Sequence, residues 1–130
     1  MSYLITGGAG YVGAHVVHAL AQAGENVVVY DDLSTGDTTR LPDGVPLVRG
    51  SLLDRGLLDR TIGEHRVATV IHLAAHHDAA ESVRQPLRYY RENLQGLQIL
   101  LEAVRGARVP RFVFASSAAV YGTPETDLLT

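Results

Sequence analysis

Gly7-Gly8-Ala9-Gly10-Tyr11-Val12-Gly13 stands between a short apolar run, Tyr3–Thr6, and a segment where Val12, His15, Val16, Ala19, Leu20 and Ala23 recur at three- and four-residue steps. The run has the length and composition of a buried strand, and the recurrence is that of an amphipathic helix. A strand that turns through glycines directly into a helix leaves few architectures open. Gly24 falls where such a helix stops, and Val27–Tyr30 is a second β-rich run. Pro46–Arg49 is expected as the third strand, between the loop residues Pro42, Asp43 and Gly44 and the following Gly50. Asp54 is placed to cap a helix carrying Leu57, Leu58 and Ile62 that fades at Gly63 to His65. Ala68–Leu73 is a fourth strand; Leu87, Tyr90, Leu94, Leu97, Leu101 and Val104 form a long helical stripe; Arg111–Ala115 is a fifth strand. Short apolar strands alternating with amphipathic helices imply a parallel sheet covered on both faces. Right-handed crossovers then give an α/β, doubly wound sheet of five strands in the order 3-2-1-4-5.

Composition narrows the function classes. The chain has 130 residues, 46% of them hydrophobic, which suits one domain over residues 1–130; no repeat or linker divides it. A net charge of −3 with 19% charged residues gives no polyanion-binding surface, so no nucleic-acid partner is expected. No stretch approaches the roughly 18 apolar residues of a membrane helix, and Met1–Thr6 lacks the pattern of a signal peptide. The absence of cysteine excludes disulfides and thiolate chemistry and suits a cytoplasmic location. All 11 basic residues are arginine; there is no lysine.

The glycine loop has a chemistry of its own. Gly7 permits a tight turn, Gly10 a close backbone approach to phosphate, and Gly13 tight packing of the helix. The helix start offers free N–H groups and partial positive charge to a pyrophosphate. A glycine cluster can also be no more than a sharp turn, and Asp31-Asp32 no more than a solvated pair. Their arrangement argues otherwise. Asp31 follows Gly13 by 18 residues at the end of the second strand, where a carboxylate accepts ribose hydroxyls and repels a 2′-phosphate. With no arginine after it until Arg40, NAD is expected over NADP. No metal is expected: His76-His77-Asp78 lacks ligand spacing, and His15 and His18 suit packing or exposure. Ser117 lacks the flanking glycines of a hydrolase nucleophile elbow.

Together Thr6–Gly13, Asp31-Asp32-Leu33-Ser34, His72–Ala75, Glu81-Ser82-Val83, Pro86–Tyr90, Asn93, Gly96 and Ser116–Gly122 resemble the extended short-chain dehydrogenase/reductase family. Within it the pattern is most similar to the UDP-glucose 4-epimerases. The resemblance implies a Rossmann fold and places Tyr11 and Val12 against the pyrophosphate. It puts Asp31, Asp32 and Ser34 at the adenosine ribose, and Ser51 and Leu52 beside the adenine. Leu73, Ala74, Ala75 and His77 would line the cofactor, with Asn93 bracing them. Ser116 would lie near the nicotinamide, and Ser117 would be the catalytic serine bonded to the reacting sugar oxygen. The implied reaction interconverts UDP-glucose and UDP-galactose through a 4-keto sugar, by hydride transfer to and from NAD.

That reaction also requires a Tyr-x-x-x-Lys pair, since an unperturbed phenol is a poor base at neutral pH. With no lysine, the pair is absent. The chain is therefore expected to be the N-terminal, cofactor-binding portion of a longer enzyme, cut before its remaining strands and substrate domain and inactive alone. Its partners would be a nucleotide sugar in the full-length protein and a second copy through the long helix. His77 stands where these epimerases carry lysine, Ser51 where they carry aspartate, and Ala115 and Ala119 where hydroxyl residues are common. The alternatives are a dehydratase or decarboxylase of the same family, or a non-catalytic nucleotide-binding fragment.

Overall fold

β1 (Ser2–Thr6) lies at the centre of a five-stranded parallel sheet, paired with β2 (Val27–Asp31) on one side and β4 (Val67–His72) on the other. β3 (Leu47–Arg49) and β5 (Arg111–Phe114) complete the order β3-β2-β1-β4-β5, as the alternation of elements predicts. The computed structural model describes residues 1–123, 125 and 127. Pro46 precedes β3 without joining it because it has no N–H to give the ladder, although its carbonyl accepts from Val29 N at 2.9 Å. Among the described residues no helix is long and apolar enough to cross a membrane.

Neighbouring residues of a strand face opposite ways, so the sheet divides two apolar layers. Leu4, Val28, Tyr30 and Val70 face Leu58 and Ile62 of α2 (Arg55–Glu64) and Leu100 of the last long helix. Ile5, Val27 and Val29 face Val17 of α1 (Tyr11–Gln22). The side chain of Asp54 caps α2 by accepting from Leu57 N at 3.0 Å. Gly24, at φ +78°, takes the chain out of α1 in the left-handed conformation that favours glycine.

Two expectations about helix faces are corrected. In α1 the buried residues are Gly13, Ala14 and Val17, whereas Val12, His15 and Ala19 are exposed. The helical period is present, and Val16 and Leu20 of the expected set pack against the core beside Val17, but Gly13 and Ala14 take the place of Val12 and His15 at the start of the helix. The stretch from Pro86 to Gly106 is also not one uniform helix. After α3 (Ala79–Arg84), it runs as α4 (Pro86–Tyr89), a π-helical segment (Tyr90–Gln95) and α5 (Gly96–Gly106). A π turn is wider than an α turn, so a single 3.6-residue stripe drawn through it loses phase. Gly96, Leu100, Ala103 and Val104 are the buried set. Of the expected stripe only Val104 is buried; Leu87, Tyr90, Leu94 and Leu101 lie on the surface.

β5 occupies an edge, with Val113 and Phe114 each more than half exposed. The phase of α5 makes a direct prediction. Leu100→Ala should lower unfolding stability by about 2–5 kcal/mol, and Leu101→Ala by no more than about 0.5 kcal/mol, in urea titrations.

Candidate functional site

A cleft opens across the carboxyl ends of β1, β2 and β4, where an open parallel sheet reverses its strand order. Its floor is the glycine loop. Gly7 turns at φ +70°, and its N–H donates to Tyr30 O at 2.9 Å. A Cβ on Gly13 would fall 2.1 Å from Gly7 O, so only glycine allows α1 to begin this close to the loop. A Cβ on Gly10 would meet only Gly7 O, at 3.3 Å, with open space beyond. The first intrahelical bond is Ala14 N to Gly10 O at 2.9 Å, and Gly10 supplies no side-chain cap. The first-turn N–H groups of α1 thus start without helical acceptors, and the helix dipole points its positive end into the cleft.

Asp31 closes the β2 side. It is 8% exposed, and its carboxylate accepts from Ala9 N at 2.9 Å and Leu33 N at 2.8 Å. The second bond is made with Leu33 at φ +61°, a left-handed conformation that non-glycine residues rarely adopt. Gly36 lies against Asp31, since a Cβ there would stand 3.0 Å from Oδ1. Each carboxylate oxygen still has a lone pair for a ligand hydroxyl. Asp32 is exposed and accepts from both N and Oγ of Ser34, at 2.9 and 2.8 Å.

The opposite wall follows β4 through Leu73, Ala74, Ala75, His76 and His77. Asn93, from the π-helical segment, holds it with two bonds: His76 N donates to Asn93 Oδ1 at 2.9 Å, and Asn93 Nδ2 donates to His76 O at 2.8 Å. Beneath it, His72 is 5% exposed, stacked on Phe112 and Phe114 and bonded to Thr6 Oγ1 through Nδ1 at 2.7 Å. Burial holds its imidazole well below the ordinary histidine value, at about 4. On the third side Tyr30 donates its hydroxyl to Ser51 O at 2.7 Å. Burial pushes that phenol well above its usual range, so it remains a donor.

Most of the site residues expected from the sequence meet here: Gly7, Gly10, Tyr11, Val12, Gly13, Asp31, Asp32, Ser34, Leu52, Leu73, Ala74, Ala75, His77 and Asn93 all line the cleft. Three do not. Ser51 turns its hydroxyl to accept from Leu53 N at 3.1 Å, and Gly50 lines the wall in its place. Ser116 and Ser117 are exposed beyond β5, and Ser117 Oγ caps a 3₁₀ turn by accepting from Ala119 N at 3.1 Å. The sequence reading missed Tyr30, Thr35, Gly36, Gly50 and Glu92 as lining residues; His76 lines the cleft within the expected run from Leu73 to His77. Asp32, His76 and Glu92 each bring one ligand-type atom within 4.8 Å of the others, from three separate elements. No spacing in the sequence displays that grouping. Asp31, Asp32 and Glu92 line the cleft and, among the described residues, no arginine does; positive potential comes from the start of α1 and from Arg40, whose guanidinium donates to Ala9 O of the glycine loop at 3.4 Å.

The sequence profile described as the NAD dependent epimerase/dehydratase family matches residues 3–129. The UDP-glucose 4-epimerase of Azospirillum brasilense is 49% identical over 123 residues, 95% of this chain and 35% of that protein. The Thermus thermophilus UDP-glucose 4-epimerase, solved in complex with NAD, superposes with a TM-score of 0.92 at 40% identity, over 100% of this chain and 42% of that one. The Thermotoga maritima UDP-glucose 4-epimerase, solved with UDP-glucose, gives 0.91 at 37% identity over 100% of this chain and 42% of that one. The chain therefore spans well under half the length of the relatives it matches.

His72 makes folding pH-dependent. Its value of about 4 lies below the unfolded 6.5, so unfolding takes up a proton between those limits and acid favours the unfolded chain. This contribution is complete above pH 6.5 and declines toward pH 4, by up to roughly 3 kcal/mol. Urea midpoints measured across that range should fall with pH, and less steeply in His72→Asn.

Proposed function

The chain belongs to the NAD dependent epimerase/dehydratase family, and from that membership we propose that it is the NAD-binding portion of a UDP-glucose 4-epimerase. The observation that carries the reading is the glycine-floored cleft facing the buried Asp31 carboxylate. The residues present suit the cofactor. Gly10 leaves open space where a β-carbon would intrude, and the uncapped start of α1 presents N–H donors to a pyrophosphate. Asp31 would take the adenosine ribose hydroxyls, with Asp32 and Ser34 beside it. Its charge disfavours a 2′-phosphate, so NAD would bind more tightly than NADP. Leu52 and Gly50 would flank the adenine, while Leu73, Ala74, Ala75 and His77 would line the far wall and Asn93 would brace it.

Bound NAD would supply the electron acceptor and donor that lets C4 of a UDP-sugar pass through a ketone. This chain's share is to bind and orient the cofactor. Ser117 is assigned to the reacting sugar oxygen and Ser116 to the nicotinamide end; both lie outside the cleft lining, so these roles rest on the family resemblance. The proton-transfer step of the family needs a tyrosine beside a lysine, and the chain has no lysine. We therefore assign nucleotide-sugar binding and turnover to the larger protein, in galactose metabolism in the cytoplasm, and binding alone to these residues. The exposed Leu87, Tyr90, Leu94 and Leu101 support pairing of two copies along the helix.

Calorimetric titration of the purified chain with NAD should show binding that Gly10→Val or Asp31→Ala weakens by at least about tenfold. Conversion of UDP-galactose with added NAD should not exceed the blank. Unchanged affinity in both variants would refute the site, and measurable turnover would refute the division of labour. In sedimentation velocity the chain should run as a dimer that Leu94→Glu converts to monomer; a wild-type monomer would remove the helix from the interface.

A further inference from the structure

The side chain of Thr6 has more partners than a strand-end threonine needs. Its Oγ1 accepts from Ala74 N at 3.3 Å and shares Leu73 N, at 3.2 Å, with the Thr6 carbonyl, which accepts from the same amide at 3.1 Å; it also lies 2.7 Å from His72 Nδ1. A hydroxyl has two lone pairs and one proton. With both lone pairs engaged by amides, the proton has one destination, the His72 ring. His72 is therefore neutral, with Nδ1 accepting and the hydrogen on Nε2. Its shift has burial as its only cause. The elements packed against the ring contribute Thr6 from β1 and Phe112 and Phe114 from β5, none of them charged.

The held segment is part of the cleft. Leu73 and Ala74 line it, and a Cβ on Gly7 would stand 2.7 Å from Ala74 N. The wall and the glycine loop touch without room for a methyl group, so the orientation of one sets that of the other. We propose that His72 is a positioning residue for the cofactor cleft: by accepting the Thr6 hydroxyl proton it turns the Thr6 lone pairs onto the Leu73 and Ala74 amides and fixes the wall against the glycine loop. This rests on the cleft being a dinucleotide site. Protonation of His72 would place a hydrogen on Nδ1 and leave it facing the Thr6 hydroxyl. Thr6 Oγ1 would then have to accept from the ring and release a wall amide. The wall thus loses one of its ties to β1 on acidification, with no carboxylate involved, while the Asn93 bonds to His76 remain.

Two substitutions separate this role from plain packing. His72→Phe keeps a ring and removes the acceptor, while His72→Asn puts a carboxamide oxygen close to the place of Nδ1. NAD affinity, measured by calorimetry on the same chain, should fall by about tenfold in His72→Phe and stay within about threefold of wild type in His72→Asn. From pH 7 to pH 4.5 the wild-type affinity should decline more steeply than that of His72→Asn. The Asn variant retains Asp31, Asp32, Glu92, His76 and His77, so it controls for their titration. Without ligand, nitrogen-15 spectra should show an unprotonated Nδ1, and exchange of the Ala74 amide should be slow in wild type and His72→Asn and fast in His72→Phe, while Leu73, bonded also to the Thr6 carbonyl, serves as the internal control. A protonated Nδ1, equal Ala74 exchange in all three chains, or loss of affinity in Asn as in Phe would overturn the proposal. If wild type binds no NAD, the dinucleotide reading fails; the tautomer and the exchange rates then still decide what His72 holds.

Discussion

The approach of Gly13 to the carbonyl of Gly7 sets the rest of the molecule. With no side-chain atom between them, α1 begins almost on the end of β1, and its axis is directed at the space beyond the sheet. That direction places the positive end of the helix where Asp31 from β2 and the wall from β4 also arrive. Any residue with a β-carbon at position 13 would displace the helix start, because 2.1 Å is far inside contact distance from backbone oxygen. Backbone contact leaves no flexible side chain to absorb a shift. The floor of the cleft is accordingly its stiffest part, and the walls are adjusted to it by hydrogen bonds.

Much of this was legible in the sequence, for identifiable reasons. Parallel strands buried on both faces appear as unbroken apolar runs, so Val27–Tyr30 and Ala68–Leu73 stood out, the first one residue short at its C-terminal end and the second displaced by one residue at both ends. Gly7, Gly13 and Asp31 were legible because each satisfies a stereochemical demand that few residue types meet. Helix faces were less so. In α1 the first turn meets the sheet through Gly13 and Ala14, which carry little hydrophobic signal, ahead of Val17, and the π-helical segment breaks the period before Leu97. The lining residues missed, such as Thr35 and Glu92, are ordinary polar residues brought together by tertiary structure alone. Ser51 shows the reverse: it lies at the expected place in the chain, but its hydroxyl serves its own turn.

The electrostatics of the cleft are asymmetric. Three carboxylates line it, opposed by aligned peptide dipoles, whose effect falls off within a helical turn, and by the Arg40 guanidinium bonded to the loop at Ala9 O. Such a site attracts anions over a short range only. The hydroxyl-accepting Asp31 is nevertheless buried and tied down by two amides, which lets a charged group act as a fixed acceptor rather than a mobile one. Asp32, tied only to Ser34 and exposed to water, lacks that constraint.

The clasp between Asn93 and His76 gives position 93 an unusual standing. A carboxamide has the same donor and acceptor as a peptide group, and here it pairs with the N–H and the C=O of one residue, as an adjacent strand would. After β4 has left the sheet at His72, a side chain thus takes over the role of a neighbouring backbone. Aspartate in its place would keep the acceptor but turn the donor into a second acceptor facing the His76 carbonyl. Glutamine would preserve both groups but carry them one methylene too far. The end of the sheet has therefore been extended by one amide that belongs to a helix, and the identity of that residue is set as narrowly as that of any glycine in the loop.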